Sequence, residues 1–343
     1  MNSKNTKYLK KSKEYKLLKK NFQIFNNKTT ILSGLIPQDL YYPNLFKRSV
    51  IYTNDYHLYK KKSNEKKKNI IFNYSDNSKK LFKYQQLIYF WMKNKKEAKL
   101  QIIYLLTCIS NNCIIYVIGK KKSGINSINK IFIKYIQFNK IDYARNCCLY
   151  HGYILKTPKF ILKKFIKKYI WNNIIIYSLP GIFGYKKIDL GSKLLISTFN
   201  KNITGQILDI GSGTGIIGIA IAKKNPLIYL TLIDINNVAI WCSKKNLVKN
   251  NIQGKVLLSN IYSKIEKKYN LIVSNPPFHQ NLKINLNVIT KIIKNAKKYL
   301  KKKGELRIVT NSFISCDYIF NKYNIKYNIL LKTNKYKIFQ IIK

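Results

Sequence analysis

Arginine is almost missing from this chain. Arg48, Arg145 and Arg307 are the only three among 65 basic residues, and the others are lysine. Guanidinium forks are the preferred readers of phosphates and base edges. The net charge of +52 therefore has two readings, attraction to a polyanion or lysine drift alongside abundant Asn, Ile and Tyr. Acidic residues number 13, so each one placed at a strand end is informative. His57, His151 and His279 are too few and too scattered for a metal site, and none is expected. Cys108, Cys113, Cys147, Cys148, Cys242 and Cys316 form no CxxC pair and read as buried small hydrophobes of a reducing compartment. No run approaches the ~18–20 apolar residues of a membrane span, and residues 1–20 lack the apolar core of a signal peptide. A soluble cytoplasmic protein with no membrane partner is expected. What the chain does have is 46% apolar and 13% aromatic content, which excludes a disordered polycation and a collagen-like polymer. Its 343 residues suggest two domains, expected at 1–165 and 166–343.

In the first half, β-branched and aromatic runs at 30–34, 49–52, 87–91 and 113–117 have strand length, with helical spacing at 94–106. Residues 60–80 are Lys, Asn and Ser with few apolar positions and read as a solvated loop; 154–176 reads as a connector. Beyond Pro180-Gly181 the pattern sharpens. Strands are expected at 206–210, 228–233, 255–258, 271–274 and 305–309, with helices at 216–224, 237–249 and 286–300 and a closing hairpin at 327–331 and 336–341. Strands alternating with helices imply a parallel sheet covered on both faces, whose ligands gather at the carboxyl ends of the strands. The order strand, helix, strand at 87–117 echoes 271–309, so the first half reads as a worn duplicate of the second.

Three motifs stand at such strand ends. Asp209-Ile210-Gly211-Ser212-Gly213-Thr214-Gly215 closes one strand and opens a helix. Its glycines permit sharp turning and close backbone approach to a ligand. The spacing is GxGxG rather than the GxGxxG of a dinucleotide loop, and the Asp209 carboxylate suits a cation better than a phosphate. An ordinary glycine-rich turn is the plain alternative. Asp234 ends the next strand, where a carboxylate can accept from both hydroxyls of a ribose or cap the following helix. Asn260 follows a third strand, placed for an adenine or for a loop cap. Asn275-Pro276-Pro277-Phe278 is the most specific signal. Its prolines remove two donors and leave the Asn275 side-chain oxygen and the Pro276 carbonyl as paired acceptors for an exocyclic NH2, with Phe278 as a stacking face. A plain Pro-Pro turn is the alternative. Asp189-Leu190-Gly191-Ser192 has two readings, a cover over donor or substrate and a helix cap.

These residues resemble the class I S-adenosylmethionine-dependent methyltransferases over 189–343. More narrowly, the chain is similar to the family that methylates N2 of guanine-1207 in 16S rRNA. That similarity rests on Leu179-Pro180-Gly181-Ile182-Phe183, Asp189-Leu190-Gly191-Ser192, Asn275-Pro276-Pro277-Phe278-His279 and Gly304-Glu305-Leu306-Arg307-Ile308-Val309, and in the first half on Leu87-Ile88-Tyr89-Phe90-Trp91 and Lys93-Asn94-Lys95-Lys96-Glu97-Ala98. The resemblance implies an α/β fold of two tandem Rossmann-like methyltransferase domains, the first degenerate, the second catalytic with a mostly parallel seven-stranded sheet. It implies S-adenosyl-L-methionine as cofactor and 16S rRNA of the small ribosomal subunit as partner, for a chain expected to act as a monomer. Asp209, Gly211, Gly213, Asp234 and Asn275 carry over position by position; Gly215 and Asn260 join the expected donor site, and Asn275, Pro276 and Phe278 the expected catalytic set. The lysine-rich first half departs from the family pattern. Two other acceptors bear planar NH2 groups, a release-factor glutamine at N5 and adenine at N6. A non-catalytic RNA-binding or assembly protein is the reading from another class.

Overall fold

The computed structural model describes residues 11–40, 45–63, 69–72, 81–200, 202–277, 279–280, 283–284 and 286–343. Its described residues divide into two compact units: the chain up to Asn54 with Leu58–Phe165, and Asp55–His57 with Ile166–Lys343.

The first unit runs α1 (Lys13–Lys20), β1 (Thr30–Gly34), β2 (Ser49–Thr53), α2 (Tyr56–Ser63, whose first two residues belong to the second unit), β3 (Asn69–Phe72), β4 (Gln86–Phe90), α3 (Lys95–Leu106), β5 (Ile114–Lys120), α4 (Ile128–Phe132), β6 (Ile136–Ala144) and β7 (Cys147–Ile154). Its sheet has the order β3-β2-β1-β4-β5-β7-β6, with β7 antiparallel to both neighbours. The 60–80 stretch is therefore not all loop. Ile70 and Ile71 pack into apolar clusters on opposite faces, which makes an edge strand in parallel register with β2 despite the lysines around it.

At the end of β1 this unit is closed. Gly34 has φ +84°, and Leu35 N–H donates to the Phe90 carbonyl at 2.8 Å. A Cβ on Gly34 would stand 2.2 Å from that carbonyl oxygen. Gly34→Ala therefore combines left-handed strain with a backbone collision. It is expected to lower stability by ~2–4 kcal/mol, read as a lower urea midpoint.

The second unit runs β8 (Lys167–Trp171), β9 (Ile174–Ser178), α5 (Leu190–Ser197), β10 (Gly205–Ile210), α6 (Ile216–Lys224), β11 (Ile228–Asp234), α7 (Asn237–Lys249), β12 (Gly254–Leu258), β13 (Tyr269–Ser274), the two-residue strands β14 (His279–Gln280) and β15 (Lys283–Ile284), α8 (Asn287–Tyr299), β16 (Leu300–Asn311), α9 (Asp317–Lys322), β17 (Asn328–Lys332) and β18 (Tyr336–Ile342). The 154–176 stretch is thus more than a connector, because β8 and the first part of β9 lie in it and the two strands form an antiparallel hairpin that ends at Ser178. The main sheet has the order β12-β11-β10-β13-β16-β18-β17, the same topology as the first; its first five strands are parallel, and β18 is antiparallel to both its neighbours, β16 and β17.

Alternation along the central strands covers both faces. Leu208, Ile210, Ile233, Ile272 and Ile308 enter one cluster, and Ile207, Leu230, Leu232, Leu271 and Val273 enter the other. Helix α8 shows how the lysine excess is accommodated. Ile289, Ile292, Ile293 and Ala296 form its buried stripe, while Lys291, Lys294, Lys297 and Lys298 lie off that stripe. Each buried isoleucine contributes roughly 1.5–3 kcal/mol, more than the weak interactions of exposed ammonium groups. No helix among the described residues is long and apolar enough to cross a membrane. The six cysteines are buried free thiols, and no cluster of potential metal ligands occurs among the described residues.

Candidate active site

The parallel strands of the second sheet end on one side, and there a cavity of about 500 Å³ opens. The loop after β10 forms one wall. Gly211, Gly213 and Gly215 all have positive φ, at +71°, +57° and +80°. The N–H groups of Gly211 and Ser212 both donate to the Ile233 carbonyl at 2.9 Å, which ties the loop to β11. A Cβ at Gly211 would find nothing within 4 Å, so this loop faces open space where the equivalent turn of the first unit is shut. Gly215 serves packing instead: a Cβ there would stand 3.0 Å from Leu232.

Asp234 braces this loop. Its Oδ2 accepts from Gly213 N–H and its Oδ1 from Asn236 N–H, both at 2.9 Å. The cap of α7 is Asn236, which accepts from Val238 N–H at 2.9 Å. Asp234 lines the cavity and retains a lone pair on each oxygen for a further donor. Enclosure raises its carboxyl above the usual range, and the N–H groups of Asn236, Gly213 and Ile235 pull it back.

Asp209 lies behind the loop, fully buried, and is absent from the cavity lining. Its Oδ2 accepts from Gly218 N–H at 3.1 Å, and its Oδ1 has no partner among the described residues. Burial pushes its carboxyl up to about 7. Because the folded value lies above the unfolded value of about 4, the native state prefers the protonated form. The stabilising share is complete below about pH 4 and is lost as pH climbs through about 7. Asp209→Asn is expected to remove a slope of up to ~1 kcal/mol per pH unit across that window. Urea midpoints of variant and parent should diverge as pH rises, with the asparagine variant the more stable at about pH 8; parallel curves would overturn the assignment.

The opposite wall is the end of β13. Ser274 hydroxyl donates to the Ile210 carbonyl at 2.8 Å, locking this strand end to the glycine loop. Asn275, Pro276 and Pro277 line the cavity. Asn275 Nδ2 donates to Ser192 Oγ at 2.9 Å and to Asp189 Oδ1 at 3.2 Å. Asp189 also caps α5, accepting from Ser192 N–H at 3.0 Å. Phe278, an expected member of the catalytic set, lies outside the described residues.

Asn260 lines a third side, where its Nδ2 meets His57 Nδ1 at 3.0 Å within the same unit. Ile210, Ile216, Ile217 and Ile235 give the cavity its apolar surface. The structure thus brings Gly211, Gly213, Asp234, Asn260, Asn275 and Pro276 to one cavity and sets Asp209 and Gly215 behind it. Sequence reasoning did not foresee Phe183, 61% exposed at this cavity. Nor did it foresee Tyr169, whose hydroxyl donates to the Gly184 carbonyl at 3.0 Å and steadies the adjoining loop. Phe183 stands in the Leu179–Phe183 motif that carries the resemblance but has no role assigned there, and Tyr169 has no motif around it to signal one.

Comparisons with known proteins place the whole chain. Residues 173–340 match the methyltransferase small domain model, and residues 16–169 match the methyltransferase small domain N-terminal model. The ribosomal RNA small subunit methyltransferase C of Buchnera aphidicola subsp. Cinara cedri is 62% identical over 330 residues, covering 96% of either chain. That of subsp. Schizaphis graminum is 42% identical over 96% of this chain and 98% of its own, and that of Haemophilus influenzae strain Rd is 39% identical over 74% of this chain and 78% of its own. Among solved structures, a T. thermophilus 16S rRNA N2 G1207 methyltransferase in complex with AdoMet and guanosine shares the fold, with a TM-score of 0.76, 15% identity and coverage of 92% of this chain and 88% of that one. With two family models and full-length relatives in agreement, the chain belongs to the ribosomal RNA small subunit methyltransferase C family.

Proposed function

We propose that this chain transfers a methyl group from S-adenosyl-L-methionine to the exocyclic N2 of a guanosine, guanine-1207, in 16S rRNA of the small ribosomal subunit. The observation that carries the reading is the meeting of Asp234, the open glycine loop and Asn275 around one cavity of about 500 Å³. The donor fits the residues present: Gly211 leaves room for a ligand against the backbone, Asp234 keeps lone pairs for ribose hydroxyls, and isoleucines flank a place for adenine near Asn260. When bound, it supplies an electrophilic methyl group on a positively charged sulfur.

The protein's residues do the rest by positioning. The lone pair of a guanine N2 is delocalised into the ring. Acceptance of its two protons by Asn275 Oδ1 and the Pro276 carbonyl favours a more tetrahedral nitrogen with its lone pair available. With the donor held at Gly211 and Asp234, that nitrogen would take the methyl carbon while the electron pair of the carbon–sulfur bond stays on sulfur, and its surplus proton would pass to water. No strong base is required. Phe278 belongs to the reading as the stacking face for the base.

In this reading 166–343 is the catalytic domain and 1–165 a degenerate one, because the turn at Gly34 is closed where that at Gly211 is open. The enzyme acts in the cytoplasm as a monomer; its six buried thiols suit a reducing compartment, and sedimentation reports its state. The deciding assay offers labelled donor with unmodified small subunits, free 16S rRNA and release factor. Label on guanine N2 in the RNA is expected, whereas labelled release factor with silent RNA would overturn the reading.

A further inference from the structure

We infer that Asp189 and Ser192 are positioning residues that fix which atom of the Asn275 amide faces the acceptor, and so restrict the site to groups that donate hydrogen bonds. The inference rests on the functional reading above and extends it to two residues that line the same cavity and have no role in that scheme.

An asparagine side chain is nearly symmetric in shape and opposite in chemistry at its two ends, so its neighbours decide its sense. Here Nδ2 has two acceptors, Ser192 Oγ at 2.9 Å and Asp189 Oδ1 at 3.2 Å. The reversed amide would set Oδ1 against a carboxylate oxygen that has no hydrogen to give. Only the observed sense satisfies both partners, and it leaves Oδ1 for the cavity that Asn275 lines. With Nδ2 turned outward, the site would offer a donor to an amine and repel it.

Both acceptors stand on a fixed base. They occupy the N-cap and the first turn of α5, and the cap bond from Ser192 N–H to Asp189 Oδ1 joins them at 3.0 Å. Gly191 between them is packed so closely that a Cβ would stand 2.9 Å from the Tyr336 ring and 3.1 Å from Asp189 Oδ1. Helix start and strand end therefore hold one spacing, and the amide is oriented before any acceptor arrives.

Asp189→Gly and Ser192→Ala, separately and together, test this. Glycine at an N-cap costs only a few tenths of a kcal/mol relative to aspartate, so the fold should persist. The double variant is expected to lower kcat on the order of 10- to 100-fold, with KM and calorimetric Kd for the donor unchanged. Asp189→Asn and Ser192→Thr each keep the accepting oxygen and are expected to retain most activity. In an Asn275→Ala background the double variant should cost nothing further. A double variant with parental kcat would overturn the inference, as would donor affinity falling in step with kcat, or an equal loss in the Asn275→Ala background. If release factor takes the label in place of RNA, the functional reading fails, while the same variants scored on that acceptor still decide the role of Asp189 and Ser192.

Discussion

Asn275→Ala is expected to reduce single-turnover methyl transfer about 10²- to 10³-fold while changing donor affinity by less than about threefold. The magnitude is that of removing one preorganised polar group from the place where charge develops. Alanine keeps the two prolines and leaves the Ser274 hydroxyl on the Ile210 carbonyl, so β13 still ends in the same place. Asp189 retains its cap bond from Ser192 N–H, which means no buried carboxylate is stranded. The substitution therefore removes an acceptor without removing a support. Rapid-quench transfer from labelled donor to unmodified small subunits measures the first quantity and calorimetry the second. Loss of donor binding in step with rate would mean that Asn275 holds the donor and not the amine.

The parts of this site that could be read directly from residues are those whose signal is local. The glycines after β10 and the two prolines after β13 constrain backbone within a few positions, and their chemistry is legible without a fold. What escaped reading depends on distant partners. The hairpin of β8 and β9 puts two lysines at the start of one strand and three isoleucines at the start of the other, turns on Asn172 and Asn173 without glycine or proline, and has its second strand held by the distant Asn246 and Asn250. Strand β3 is four residues long between lysine-rich stretches, so composition masks the two isoleucines that bury it. Asp189 was legible both as a cap and as a cover; the cap is present, and the contact to Asn275 spans 86 positions of chain. Asp209 and Asp234 look equivalent in the sequence, each closing a strand. One lies behind its loop and the other lines the cavity, a difference set by where the loop folds back onto β11.

Substitutions at Asn246 and Asn250 should separate fold from donor binding. The two amides, Asn246 on α7 and Asn250 at its C-cap, act as a substitute strand for β9. Asn246 accepts from Tyr177 N–H at 2.7 Å and donates to the Tyr177 carbonyl at 2.9 Å; Asn250 does the same for Ile175 at 2.9 and 2.7 Å. The match follows from geometry: four residues of helix rise ~6 Å, close to the ~6.6 Å spanned by two residues of strand. Only Asn246 also donates to the Thr214 carbonyl in the glycine loop, at 2.9 Å. Asn246→Ala strands a buried N–H and two carbonyls, and the expected loss is ~3–5 kcal/mol of stability together with about a tenfold weaker donor affinity. Asn250→Ala strands the Ile175 pair and should cost ~2–3 kcal/mol while leaving donor affinity near parental. Urea denaturation and calorimetry on the two variants give four numbers. Equal weakening of donor binding would show that β9, rather than the bond to Thr214, transmits the effect to the loop.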